Sequence, residues 1–246
     1  MAVPELSVIT ITYNERENIR LFITTVNRIF QEHKLQGEIV VVDDNSPDGT
    51  SQVVQELQKE YPLTTLITRP GKLGIGSAYL TGFQAAKGKV VAFLDADLSH
   101  PPEYLPEFYA LAANNTVVFG SRYLGRTLFE TDFAHRIGTK VLNTWVSVLL
   151  RTGMKDHTNG YVVIKREILN QILNYSQAQN VPPFDHILYG ITIAAVAQKL
   201  GIPVVEKKAP YNQRQYGETK IPFWWGIKVV FGDIWYSLKL WSRLRT

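Results

Sequence analysis

Lys89-Val-Val-Ala-Phe-Leu-Asp-Ala-Asp-Leu-Ser-His-Pro-Pro102 is the stretch on which the reading of this chain turns. Five apolar residues, Val90 to Leu94, run into two acids, Asp95 and Asp97, separated by one small residue. An apolar run this short, bounded by polar residues and proline, reads as a strand buried on both faces. Pro101 and Pro102 cannot continue a ladder and suit the first turn of a helix, so the strand ends at the acids. That position, the carboxyl end of a central strand, is where open α/β sheets bind ligands. Two carboxylates so close stay ionised only with positive charge between them. A hard divalent cation, Mg²⁺ or Mn²⁺, holding a diphosphate would supply it. The plainer reading, a strand end followed by an acidic turn, stands equally on these residues alone.

The rest of the chain widens the picture. Its 246 residues, 45% hydrophobic and 20% charged, have the composition of a folded globular protein. With no cysteine, a disulfide framework, a thiolate metal site and a thiol nucleophile are excluded. Met1–Glu5 carries no signal-peptide pattern, and no apolar run is long enough to span a bilayer, so a cytoplasmic setting is expected. The net charge of +4 is unevenly placed: Lys199–Thr246 holds nine basic residues against three acids. The C-terminal fifth therefore faces something anionic.

In order, Leu6–Thr12, Glu38–Asp44, Leu63–Thr68, Val90–Leu94 and Thr116–Ser121 read as strands. Helical patterns lie between them, one beginning after Tyr13-Asn-Glu15 and one capped by Thr50. Alternation at this spacing predicts a parallel sheet with right-handed crossovers. Arg69-Pro-Gly-Lys-Leu-Gly-Ile-Gly-Ser77 is glycine-rich, but its G-x-x-G-x-G spacing after the third strand disfavours a dinucleotide fold. Ahead of a helix it can still hold an anion, with Lys72 nearby. Phe133–Arg151 is helical in pattern, Tyr161–Lys165 and Val204–Glu206 are strands, and a buried helix lies near Ile187–Leu200.

The end of the chain is the second informative stretch. Trp224, Ile227, Phe231, Ile234, Leu238 and Trp241 fall on one helical stripe flanked by Lys228, Lys239 and Arg243. Such a helix suits a membrane interface. It suits docking on the domain almost as well. A nucleic-acid partner is not expected, because phosphate tracking has no need of so wide an apolar stripe.

Six motifs occur in order: Thr12-Tyr-Asn-Glu15, Val41-Val-Asp-Asp-Asn-Ser-Pro-Asp-Gly-Thr50, Gly71-Lys-x-Gly74, Asp95-Ala-Asp-Leu98, Gly120-Ser-Arg-Tyr123 and Arg214-x-x-Gly-Glu-Thr-Lys220. Together they resemble the inverting family-two glycosyltransferases of the GT-A fold, and within them the dolichol- or polyprenol-phosphate mannose synthases. The resemblance implies an α/β, Rossmann-like GT-A domain over 1–220, with a mostly parallel sheet flanked by helices. It leaves 221–246 as an amphipathic, membrane-interfacial helix. It places Thr12, Tyr13, Glu15, Asp44, Lys72, Asp95 and Lys220 on the nucleotide-sugar. Asp95, Asp97 and Ser99 fall at the metal, and Asp97, Arg122, Arg136 and Arg214 in the catalytic set. Two positions depart from the family: Ile11 stands where proline is usual, and Ser99 where many members have glutamine, which bears on metal preference.

Displacing a nucleoside diphosphate builds negative charge that a cation at Asp95 and Asp97 would stabilise. Transfer to a hydroxyl needs a general base, and in the second half Asp156 and His157 are the candidates. A lipid phosphate needs none, only cations to dock it, which arginines supply bidentately. The expectation is an enzyme on the cytoplasmic face of a membrane, moving mannose from GDP-mannose to polyprenyl phosphate. It leaves room for a small membrane-anchor subunit. UDP-glucose or another nucleotide sugar as donor, a sugar hydroxyl as acceptor, and a non-enzymatic lipid-phosphate-binding module are the alternatives.

Overall fold

Among the residues described, the apolar runs form seven strands: β1 (Leu6–Thr12), β2 (Gly37–Asp43), β3 (Thr64–Thr68), β4 (Val90–Phe93), β5 (Val117–Ser121), β6 (Val162–Lys165) and β7 (Val204–Lys208). The computed structural model describes residues 3–124, 133–185, 189–210, 212, 216 and 223–245, with the backbone course alone over 133–137, at 185 and over 223–231. One sheet takes the strands in the order β3-β2-β1-β4-β6-β5-β7. Every pairing is parallel except those of β6, which runs antiparallel between β4 and β5. The expected mostly parallel sheet therefore holds, with β6 its one antiparallel strand among the residues described.

The helices are α1 (Arg16–Glu32), α2 (Thr50–Leu57), α3 (Ile75–Ala85), α4 (Leu105–Ala112), α5 (Phe133–Leu150), α6 (Arg166–Ala178), α7 (Tyr189–Lys199) and α8 (Phe223–Leu244). Strand side chains alternate between two cores, as a pleated sheet requires. Val8, Val41 and Ala92 meet Phe22 of α1, Val53 of α2 and Phe108 of α4 on one face. Ile9, Val42, Val91 and Phe93 meet Tyr79 of α3, Leu169 of α6 and Ile193 of α7 on the other. Removing these side chains from water supplies the main driving force for the three-layer stack. α3 lies especially close to the sheet, because Gly82 faces Ile9 where a Cβ would stand 2.4 Å from its Cγ2.

Two local expectations change. Thr50 does not cap α2: Gly49 precedes that helix, and Asp48 Oδ1 accepts from both the Thr50 amide (3.0 Å) and hydroxyl (2.6 Å). A nearby carboxylate is the stronger partner, so Thr50 turns its oxygen to the Glu15 amide instead. α6 was not foreseen, because β6 runs from Lys165 straight into Arg166 with no turn residue to mark the boundary.

α8 packs on α5 and α7 through Asp233, Tyr236, Ser237 and Leu240, all buried. Leu240 joins Leu142, Val146, Ile191 and Ala195 in a small core, and Tyr236 and Thr192 share a 2.8 Å hydrogen bond. The buried residues thus lie beside the stripe through Ile234, Leu238 and Trp241, whose first reading is a membrane interface and second a docked face. Of these, Ile234 packs against that core, Trp241 is half-buried and Leu238 is exposed. The side chains of Trp224, Ile227, Lys228 and Phe231 lie outside the described residues.

Candidate active site

β2 and β3 are laid down on one side of β1, and β4 on the other. The crevice beyond the carboxyl ends of β1 and β4 is thus the switch point where open sheets take ligands. The predicted acids come to this edge from three elements. β1 ends at Thr12, followed by Tyr13 and Glu15; β2 ends at Asp43, followed by Asp44; β4 leads through Leu94 into Asp95 and Asp97.

The paired acids after β2 have different tasks. Asp43 is fully buried and accepts from Thr12 Oγ1 (2.7 Å), Ser46 N (3.0 Å), Ser46 Oγ (2.5 Å) and Ser51 Oγ (2.7 Å). It holds the loop, and Thr12 is engaged in holding it. Asp44 is gripped in fork geometry by Arg69, Nε to Oδ1 at 2.6 Å and Nη2 to Oδ2 at 2.8 Å. Arg69 is itself buried and also donates to Ser77 Oγ and the Gly74 carbonyl at the start of α3. Gly74, with φ of 99°, makes the turn into α3 that a side chain would strain. Lys72, one turn ahead, lies 3.6 Å from the centre of the Tyr13 ring. Glu15 accepts from Asn18 Nδ2 at 2.6 Å, and Asn18 also donates to the Tyr216 carbonyl.

The Asp95–Ser99 turn is sharp. Asp97, 6% exposed, accepts from the Ser99 amide at 3.0 Å, and Leu98 between them sits at φ 61°. An aliphatic residue in the left-handed region costs about 1–2 kcal/mol, so the surroundings must impose this turn. Asp95 keeps a partly exposed carboxylate. Ser99 is fully buried and its hydroxyl has no hydrogen-bond partner among the described residues. A hard cation fits here: two carboxylates one residue apart and an orphaned hydroxyl oxygen are the donor types that Mg²⁺ or Mn²⁺ take. No cluster of three acids or histidines able to hold a metal ion stands among the described residues, so substrate phosphates and water would complete its shell.

On the other side of β4, Arg122 follows β5. Its guanidinium pairs with Asp156, Nε to Oδ2 at 2.8 Å and Nη2 to Oδ1 at 2.7 Å, and its amide donates to Oδ2 at 2.9 Å. Nη2 also reaches Thr158 Oγ1. Because β6 is antiparallel, the loop before it brings Asp156, His157 and Thr158 to this same edge. Glu206 of β7 anchors that loop through the Lys155 and Asp156 amides, and Asn143 of α5 through the His157 amide and Thr158.

This geometry removes both candidate bases. Asp156 has no exposed surface and is taken up by Arg122. His157 is buried, its Nε2 lies 2.6 Å from Thr152 Oγ1, and burial pushes its pKa down to about 4, outweighing the opposing pull of Asp156. Of the remaining predicted residues, Arg136 has only its backbone in α5 described, and Arg214 and Lys220 lie outside the described residues. Tyr79, His100, Arg69 and Glu206 escaped the sequence reading. For Arg69 a signal existed, a cation at a strand end beside a glycine-rich loop, the same placement that singled out Arg122.

Comparison with known proteins gives consistent matches. Residues 7–173 match glycosyl transferase family 2. The dolichol-phosphate mannosyltransferase of Pyrococcus furiosus is 33% identical over 222 residues, 88% of this chain; the chain spans 59% of that relative's length. The polyprenol monophosphomannose synthase of Mycolicibacterium smegmatis is 34% identical over 221 residues, covering 87% of this chain and 80% of the relative. Among solved structures, the fold matches the mannosyltransferase PcManGT from Pyrobaculum calidifontis in complex with GDP-Man and Mn²⁺. There the TM-score is 0.59 and identity 17%, over 99% of this chain and 74% of that one. It also matches glucosyl-3-phosphoglycerate synthase from Mycobacterium tuberculosis with Mn²⁺ and UDP-Glc, with TM-score 0.67 and identity 16%, over 97% and 79%.

Proposed function

The chain belongs to glycosyl transferase family 2, and on that premise we propose that it transfers mannose from GDP-mannose to a dolichyl or polyprenyl phosphate, with inversion and with a divalent cation. The observation that carries this reading is the state of the two base candidates. Asp156 is locked to Arg122, and His157 is buried with a pKa of about 4. A phosphate acceptor arrives already ionised and needs no base. The two similar curated proteins are named for acting on such lipids, which supports the same acceptor here.

In this scheme Asp44, steadied by Arg69, and Tyr13 with Glu15 line the donor nucleoside. Asp95, Asp97 and the Ser99 hydroxyl would hold Mg²⁺ or Mn²⁺, which when bound offsets the charge developing on the leaving diphosphate. Arg122, aimed by Asp156, faces the acceptor phosphate, joined by Arg136 and Arg214; Lys72 and Lys220 serve the donor diphosphate. Holding the phosphate oxygen on the face of the sugar opposite the diphosphate accounts for inversion.

Residues 1–220 act as the glycosyltransferase domain, and 221–246 as an interfacial helix working with α5. Val141, Trp145 and Val148 of α5 recur at helical spacing and are exposed, as are Trp235 and Leu238 of α8. Trp145 Nε1 donates to Ser237 Oγ at 3.2 Å and ties the two helices together. Exposed apolar side chains on adjoining helices mark a binding surface. No described helix is long and apolar enough to cross a membrane. We assign this face to the cytoplasmic leaflet of a membrane, on which it would seat the enzyme peripherally, and a small membrane-anchor subunit would dock against it.

The test is transfer from radiolabelled GDP-mannose, UDP-glucose and UDP-N-acetylglucosamine to polyprenyl phosphate in vesicles, with and without Mn²⁺. Metal-dependent labelling from GDP-mannose alone, with the protein sedimenting with the vesicles, is expected. Labelling from a uridine donor contradicts the mannose assignment. Full activity with protein left in the supernatant contradicts the interfacial face.

A further inference from the structure

Asp95 is the most exposed acid of the metal motif, yet two buried side chains from different elements fix it. Tyr79 Oη of α3 lies 3.0 Å from Asp95 Oδ1 and 3.3 Å from the Leu94 carbonyl. A phenol has one proton, and an ionised carboxylate is the stronger acceptor, so the shorter contact to Asp95 is the principal hydrogen bond. On the other side, the Asp95 main-chain amide donates to His100 Nδ1 at 3.2 Å. The same Nδ1 stands 3.5 Å from Asp95 Oδ2, so the ring borders both the main chain and the carboxylate of Asp95.

Neither side chain is free to wander. Tyr79 is 1% exposed, with its ring against Phe93 at 5.3 Å and Tyr189 at 5.0 Å. His100 is 2% exposed, lies tilted beside the Tyr161 ring at 5.6 Å, and lies against Gly160, where a Cβ would come within 3.3 Å of its Cε1. The backbone they brace is the one that holds Leu98 at φ 61°. α3 also meets the other donor-site acid, because Ser77 and Gly74 at its first turn bind Arg69, which grips Asp44. Close contact of Gly82 with Ile9 seats this helix on the sheet. One helix thus spans from the nucleoside acid to the metal acid.

We propose that Tyr79 and His100 are positioning residues that set the Asp95 carboxylate for the metal–diphosphate, with α3 holding Asp95 and Asp44 at a fixed separation. The proposal rests on the metal role given to Asp95 above. Partners of metal-binding carboxylates commonly change ion affinity by about 10–100-fold when removed.

The test is direct Mn²⁺ binding in the presence of GDP, read from the loss of the free Mn²⁺ electron-paramagnetic-resonance signal, with thermal melting of each variant alongside. Tyr79→Phe deletes only the hydroxyl and is expected to weaken Mn²⁺ binding about tenfold in a protein that still melts cooperatively. His100→Leu is expected to do the same. His100→Asn places Oδ1 on Cγ, where Nδ1 stood, and is expected to recover affinity to within about threefold of the parent. Folded variants that all bind Mn²⁺ as the parent does would overturn the proposal, as would His100→Asn binding no better than His100→Leu. Because ion binding is read apart from transfer, a parent that binds Mn²⁺ with GDP but moves no sugar would overturn the functional reading alone. The same variants would still decide the positioning roles.

Discussion

Asp97→Ala is expected to abolish sugar transfer, lowering turnover by about 10³-fold or more, while leaving the protein folded. The loss follows from charge. A cation at the diphosphate supplies several kcal/mol of transition-state stabilisation, and about 4 kcal/mol corresponds to 10³ in rate. Asp97 accepts a local hydrogen bond from the Ser99 amide, worth about 1 kcal/mol, and thermal melting of the variant checks that the fold is kept. Binding of polyprenyl phosphate should survive, since the cationic dock proposed for it lies across β4 at Arg122. Steady-state transfer and lipid binding measured on the same preparation check this. A variant keeping a tenth of parental turnover would remove the metal from the mechanism. Equal lipid binding by parent and variant, with no turnover in either, would describe a binding module.

The second large effect is expected at Arg122→Ala, and it acts on folding as well as on chemistry. The substitution leaves Asp156, with no exposed surface, without its ion-pair partner. Breaking a buried pair by removing one member costs about 3–5 kcal/mol, because the remaining charge is uncompensated. Denaturant unfolding should register that loss. Removing both partners, as in Arg122→Ala with Asp156→Ala, should recover much of the stability but none of the transfer, since the phosphate dock is still gone. A double variant that regains activity would make the pair structural only.

Much of this architecture was legible because burial and alternation leave strong marks. The β-branched runs of β1 and β2 and the apolar run of β4 admit few other readings, and acids at three strand ends pointed to one edge of the sheet. What was not legible came from partners distant in the chain. Nothing in the string Asp43-Asp44 says that the first is buried among Thr12, Ser46 and Ser51 while the second pairs with Arg69. The antiparallel insertion of β6 likewise rests on where the α5 connection returns the chain, a tertiary matter. That insertion brings Asp156 to Arg122 and changes two base candidates into scaffold. In α8 the apolar stripe was so wide that its buried edge, Tyr236 and Leu240, could not be told from its exposed one.

The claim on which the account depends is that the acceptor supplies its own negative charge. The most direct test offers the enzyme GDP-[¹⁴C]mannose with Mn²⁺ and, in parallel, polyprenyl phosphate or the matching polyprenol in the same vesicles. Labelled mannosyl phospholipid, with polyprenol left unlabelled, is the predicted result. Comparable labelling of the free alcohol would contradict the account, because a hydroxyl acceptor demands a base that neither Asp156 nor His157 can be.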